Sequence, residues 1–132
     1  MDKSFLFQIL LSGFISGIII FQTALVAPIL FTNLKEDQSR IFIRKIFPKL
    51  FLLLYTTGIL MLICNLVFDV VNDSQIWVSI ITIVLPIVCS LMVKSINNAT
   101  DNNEHKKFKV LHSISVILTM LVLITNIFWC FF

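Results

Sequence analysis

Four residues near the end of the chain, His112, Ser115, Thr119 and Asn126, recur at intervals of three, four and seven. That spacing puts side chains along one side of an α-helix. Gln22, Thr23 and Asn65, set in earlier apolar runs, could face the same interior. The chemistry of this set is hydrogen bonding. Buried amides and hydroxyls need partners, so the simplest use of such a seam is to hold helices together. The alternative is a small transporter or a ligand-binding site, since polar groups inside apolar spans mark such places. A carboxylate-driven proton or cation mechanism lacks its usual residue, because no Asp or Glu sits in an apolar run. His112, at a helix entrance, could also cap or orient the adjacent loop.

Other chemistries find less support. His105 and His112 are seven apart, the first in polar sequence and the second where an apolar run begins, and they form no compact pair. Cys64, Cys89 and Cys130 all lie in apolar runs, without the spacing of a zinc knuckle or a disulfide scaffold, and are expected to be packing residues. No metal, haem or other cofactor is expected. There is no Asp-His-Ser set and no Gly-rich phosphate cradle, and the acidic residues fall in loops, so no enzymatic activity is expected either. The net charge of +3 comes from residues that border apolar runs. Anionic lipid headgroups are simpler counterions there than nucleic acid, which is not expected as a partner.

The elements that must position these residues follow from composition. Hydrophobic residues make up 58% of 132 and charged residues 13%, a balance that requires lipid as part of the solvent. Apolar runs predict membrane spans at about 5–31, 50–68, 76–93 and 110–132. The fold class is therefore all-α, a four-transmembrane-helix bundle forming one membrane domain over 1–132. The run from Phe5 to Phe31 is too long for a signal core and is retained as a helix. Pro28 marks its end or a kink, and Pro86 kinks the third span. A short helix lying in the interface is expected over about 36–47, with Pro48 opening the second span at its first position. Residues 94–109 read as a solvent-facing loop, within which Asn98-Ala99-Thr100 is a chance glycosylation triplet, and Trp129 is expected near an interface.

Charge sets the orientation. Lys35, Arg40, Arg44, Lys45, Lys49, Lys94, Lys106, Lys107 and Lys109 fall in the first and third connections, against Lys3 alone on the opposite side. The positive-inside rule then places both termini on the non-cytoplasmic side of a multi-pass protein, in a bacterial inner membrane. Arg40, Arg44, Lys45, Lys49, Lys106, Lys107 and Lys109 form the interfacial basic group. On the first helix Gly13 and Gly17 stand four apart, with Ala24 and Pro28 following near the same face. This small-xxx-small pattern predicts close helix packing, within the chain in preference to a homodimer. Expected partners are membrane lipids, with a membrane-protein partner or a homo-oligomer as further options.

The chain resembles the family of small membrane proteins containing the domain of unknown function 4149, related to transmembrane protein 205. The resemblance rests on Gly13 and Gly17, on Ala27 to Phe31, on the basic Phe-Pro segment from Arg44 to Phe51, and on Leu111-His112 followed by Ser113 and Ser115. Members often carry Gly after the Leu-His pair and Asn later on that face, where this chain has Ser113 and Thr119. The resemblance implies a four-helix membrane protein and supplies no reaction. Two functional expectations stand together. The first is action through helix packing or association with another membrane component; the second is transport or ligand binding through the polar seam.

Overall fold

A computed structural model of the protein describes residues 2–69 and 72–131, and all regular structure among them is helical. Helix α1 (Lys3–Phe21) runs into a π-helical turn (Gln22–Val26) and continues as α2 (Ala27–Asn33). Next come α3 (Glu36–Val67), α4 (Asp73–Asp101), α5 (His105–Phe128) and a 3-10 turn (Trp129–Phe131). Because α1, the π turn and α2 form one rod, there are four membrane-length rods of 31, 32, 29 and 27 residues. At about 1.5 Å per residue they measure roughly 40–48 Å, longer than a hydrocarbon core of about 30 Å. Their ends therefore reach the headgroup region. Large apolar side chains such as Leu10, Phe21, Leu66 and Leu91 are exposed around the girth, as a lipid-facing surface requires.

The rods extend further than the apolar runs because nothing local stops them. Between Glu36 and Phe47 there is neither Gly nor Pro. The start is fixed by the Lys35 backbone N–H donating to Gln38 Oε1 at 3.3 Å, with Glu36 and Asp37 in the first turn, where carboxylates complement the helix dipole. The segment expected as a separate interfacial helix is thus the first third of α3, and Pro48 lies inside that helix instead of opening it. An interior Pro costs about 3 kcal/mol. Burial of Leu50, Phe51 and Leu54 just beyond it offsets that cost.

Likewise α4 does not stop at Val93 but runs on to Asp101, so the expected loop over 94–109 shrinks to Asn102–Glu104. The stop is a Schellman motif. Asn103 takes a left-handed φ of 56°, its N–H donates to the Thr100 carbonyl at 3.2 Å, and the Glu104 N–H reaches the Ala99 carbonyl at 2.9 Å. The Asn98-Ala99-Thr100 triplet is helical, with Ala99 buried. At the other end of α4, Asn72 caps the helix, its side-chain oxygen accepting from the Ser74 N–H at 3.0 Å.

In the bundle, α4 lies between α3 and α5, and α1 closes the ring with lighter contacts to α3 and α5. Ile15, Ile19, Leu54, Met61 and Val122 are at most 1% exposed and form its apolar centre. The tightest crossing is at Gly58 on α3, where an added Cβ would lie 3.0 Å from the backbone nitrogen of Ile83 on α4. Trp129 is buried, edge-on to Phe5 with ring centroids 5.4 Å apart, tying the end of the last rod to the start of the first. The expected fourth span ends at Phe132, which lies outside the described residues.

Candidate functional site

The first rod contains the feature that shapes the site. Pro28 has no N–H, so the carbonyl of Ala24 lacks its ordinary helical donor. The chain answers with a wider turn, in which the Ala27 N–H bonds the carbonyl of Gln22, five residues back. Beyond this π turn α2 touches α3 only sparingly. Space opens where the rods part.

That space is a cavity of about 800 Å³ at the basic end of the bundle. The π turn contributes Gln22, Thr23 and Val26, and α3 contributes Arg40, Ile43, Arg44 and Phe47 from one face. Helix α5 adds His112, Ser115 and Thr119, in the helical spacing that its sequence displays. The hydroxyls are mostly occupied along their own helices: Thr23 Oγ1 donates to the Ile19 carbonyl and Thr119 Oγ1 to the Ser115 carbonyl, each at 2.8 Å. Gln22 is 8% exposed and lines the cavity. His112 is exposed and stacks on Phe108, with centroids 5.5 Å apart.

Charge collects at the rim. Arg44 Nη2 donates to the Asp101 carboxylate and, at 3.4 Å, to the Asn97 carbonyl, bridging α3 to the end of α4. Arg40 pairs with Glu36 at 3.2 Å along its own helix. Lys45, Lys49, Lys106, Lys107 and Lys109 are exposed. The interfacial basic group thus divides: two arginines line the cavity, and the lysines girdle the rim.

The predicted seam divides as well. Asn65 and Asn126 do not reach the cavity but sit in a separate buried polar belt. The Asn65 Nδ2 donates to Ser79 Oγ at 3.0 Å and to the Gln75 carbonyl at 3.2 Å, and Gln8 Nε2 reaches that same carbonyl at 3.3 Å. Asn126 Nδ2 donates to Thr82 Oγ1 at 2.8 Å. The amide oxygens of Gln8, Asn65, Gln75 and Asn126 have no hydrogen-bond partner among the described residues. Gln8, Gln75, Ser79 and Thr82 are the belt members that reading the sequence by helix missed. Its usable signal was the four-residue spacing of Ser4, Gln8, Ser12 and Ser16 on α1, all of which are buried.

The expected glycine packing face is corrected. Gly13, Gly17, Ala24 and Pro28 are exposed, and an added Cβ at either glycine meets nothing within 4 Å. The face that packs is the one carrying Ser12, Ile15, Ser16 and Ile19, because α1 presents its larger buried side chains to the bundle. Gly58, which the sequence marks only as an interruption, is where close approach occurs.

Among the described residues no group of three or more His, Cys, Asp or Glu comes together in a way that could hold a metal ion. What the cavity offers is an apolar wall, a few hydrogen-bonding groups and a cationic rim. Together these features define a multi-pass helical membrane protein with a cavity open at one end of the bundle. The sequence model of a family described as "Domain of unknown function (DUF4149)" matches residues 10–106, well over half of the chain, and the protein belongs to that family. No curated protein and no solved structure matches.

Proposed function

We propose that the protein is a non-enzymatic binding module of the membrane, taking an amphiphilic small molecule into the cavity beneath Arg40 and Arg44. One observation carries this reading: a hollow of about 800 Å³ is lined jointly by Gln22, Thr23, His112, Ser115 and Thr119. Ligand sites typically measure about 300–1,000 Å³ and combine apolar walls with a few convergent polar groups. Of the two expectations drawn from sequence, the ligand-binding one is favoured, because His112, Ser115 and Thr119 of α5 line the hollow, whereas Asn126 alone pairs with Thr82 of α4.

The experiment is binding of a neutral solvatochromic dye to the purified full chain in detergent. The wild type is expected to bind saturably, and Met120→Trp, which fills the hollow, is expected to lose that binding while keeping its unfolding midpoint. Equal dye binding by a folded Met120→Trp protein would remove the cavity from the account.

Association with a second membrane chain is a further reading, favoured by the outward face of Gly13 and Gly17, where small side chains permit close approach. We place both termini on the non-cytoplasmic side of a bacterial inner membrane, since the cationic rim lies at the opposite end of the bundle. Kinship with transmembrane protein 205, suggested by the Phe-Pro and Leu-His segments, belongs to the same proposal.

A further inference from the structure

Resting on the cavity reading, we infer that the occupant is an anionic phospholipid of the surrounding leaflet, with an acyl chain in the hollow and its phosphate against Arg40 and Arg44. The walls fit a hydrocarbon chain: Val26 and Leu30 from the first rod, Ile43 and Phe47 from α3, Val93 from α4 and Met120 from α5. Both ends of the contact are specified, an apolar wall for the chain and the arginine pair at the rim for the phosphate.

The rim has donors to spare. Each guanidinium carries five N–H groups. Arg40 and Arg44 engage Glu36, Asp101 and the Asn97 carbonyl through Nη2 alone. Their Nε and Nη1 groups therefore remain available to a phosphate, whose oxygens match a guanidinium fork. His105 and His112 add two further N–H-bearing groups, and Glu36 is the one carboxylate among the lining residues. A zwitterionic headgroup also offers a phosphate, but its ammonium would meet the same cationic rim and lose much of the attraction.

The source follows from position. Lys45, Lys49, Lys106, Lys107 and Lys109 surround the same end of the bundle and are exposed. Such a belt concentrates anionic lipids at the adjoining surface, at about 1 kcal/mol per basic residue. The sparse packing of α2 on α3 is where an acyl chain would enter from the side. A lipid held this way bridges α2, α3 and α5, the elements that the protein's own contacts tie together least at this end.

Native mass spectrometry of the full chain with equal amounts of dioleoyl phosphatidylglycerol and dioleoyl phosphatidylcholine tests the idea. Wild type is expected to retain the glycerol lipid on the order of ten- to thirtyfold better, the size expected of two cationic contacts. Arg40→Gln with Arg44→Gln should bring that ratio to within about twofold in protein that keeps its helical circular-dichroism signal. Lys45→Gln with Lys49→Gln should leave most of it. Equal retention of the two lipids by the wild type, or a preference that follows the lysines and not the arginines, would overturn the proposal while leaving the cavity in place. Displacement of the phospholipid by equimolar oleate would overturn the phospholipid as source. Failure of the neutral dye to bind would take the cavity reading down as well.

Discussion

Gly58 and Ile83 meet at van der Waals limits: a Cβ added to the glycine would stand 3.0 Å from the Ile83 nitrogen, and equally close to its Cγ1 and to the Thr82 carbonyl carbon. Two of those three atoms are backbone and cannot rotate away. Gly58→Ala must therefore push α3 from α4. Overpacking of this kind costs about 1–3 kcal/mol, against roughly 1 kcal/mol gained in helix propensity. A net loss of stability is expected in denaturing-detergent titration. Gly13→Ala and Gly17→Ala, with nothing within 4 Å of the new methyl, should be neutral or slightly stabilising. If Gly58→Ala proved the most stable of the three, the α3–α4 crossing would be wrong.

The polar belt makes a second prediction. Asn65 and Ser79 share a 3.0 Å hydrogen bond between α3 and α4, and both are almost fully buried. Interhelical hydrogen bonds in membranes are worth about 0.6 kcal/mol on average and up to about 1.7. A double-mutant cycle of Asn65→Ala and Ser79→Ala should return a coupling in that range, because each change removes the shared bond. Strict additivity in the unfolding titration would show that the two side chains do not meet.

These two sites mark how far the sequence could be read. The four rods were legible because each apolar run is long enough to span a bilayer as a helix and a lone strand cannot satisfy its backbone there. Helix ends were not, since polar residues such as Ser95 to Asp101 look like a loop although only Asn103 takes a conformation that stops the helix. The α5 face of His112, Ser115 and Thr119 was legible from spacing alone. Its division from Asn126 was not, because a helix that carries polar residues over several turns passes from the rim to the deep core, and depth is set by the other three rods. Gly13 and Gly17 misled for a related reason: spacing gives a shared face but not which way that face points. The widened turn at Gln22–Val26 has a visible cause in Pro28, yet a kink, a stop and a π turn are equally consistent with that residue.

Pro28 supplies a third prediction. In Pro28→Ala the restored N–H can bond the carbonyl of Ala24, and the segment can wind as ordinary α-helix. That rewinding turns Gln22 and Thr23 relative to the cavity they line. The first rod should gain stability, while neutral-dye affinity falls several-fold, roughly the effect of 1 kcal/mol. Hydrogen exchange at Ala24 to Val26 should slow in the same variant. Unchanged dye affinity in a variant with slowed exchange would separate the π turn from binding.

Sidedness is open to a direct measurement. Ser74 lies at the start of α4, opposite the basic rim, and Lys106 lies at the start of α5 beside it. In a background with Cys64, Cys89 and Cys130 replaced by Ala, a single cysteine at each position reports its compartment through a membrane-impermeant maleimide. In the proposed orientation, which follows the excess of basic residues in the connections on the Lys106 side, that side faces the cytoplasm. Ser74→Cys should therefore label on intact cells, and Lys106→Cys only after the membrane is opened. Moving charge should move the outcome, since orientation follows the Lys and Arg bias and not the helices themselves. Replacing Arg40, Lys45 and Lys49 by Gln while adding three lysines after Asp73 is expected to produce a mixed or inverted population. Labelling of Lys106→Cys from outside in the otherwise unaltered chain would reverse the orientation, and with it the leaflet from which a lipid could reach Arg40 and Arg44.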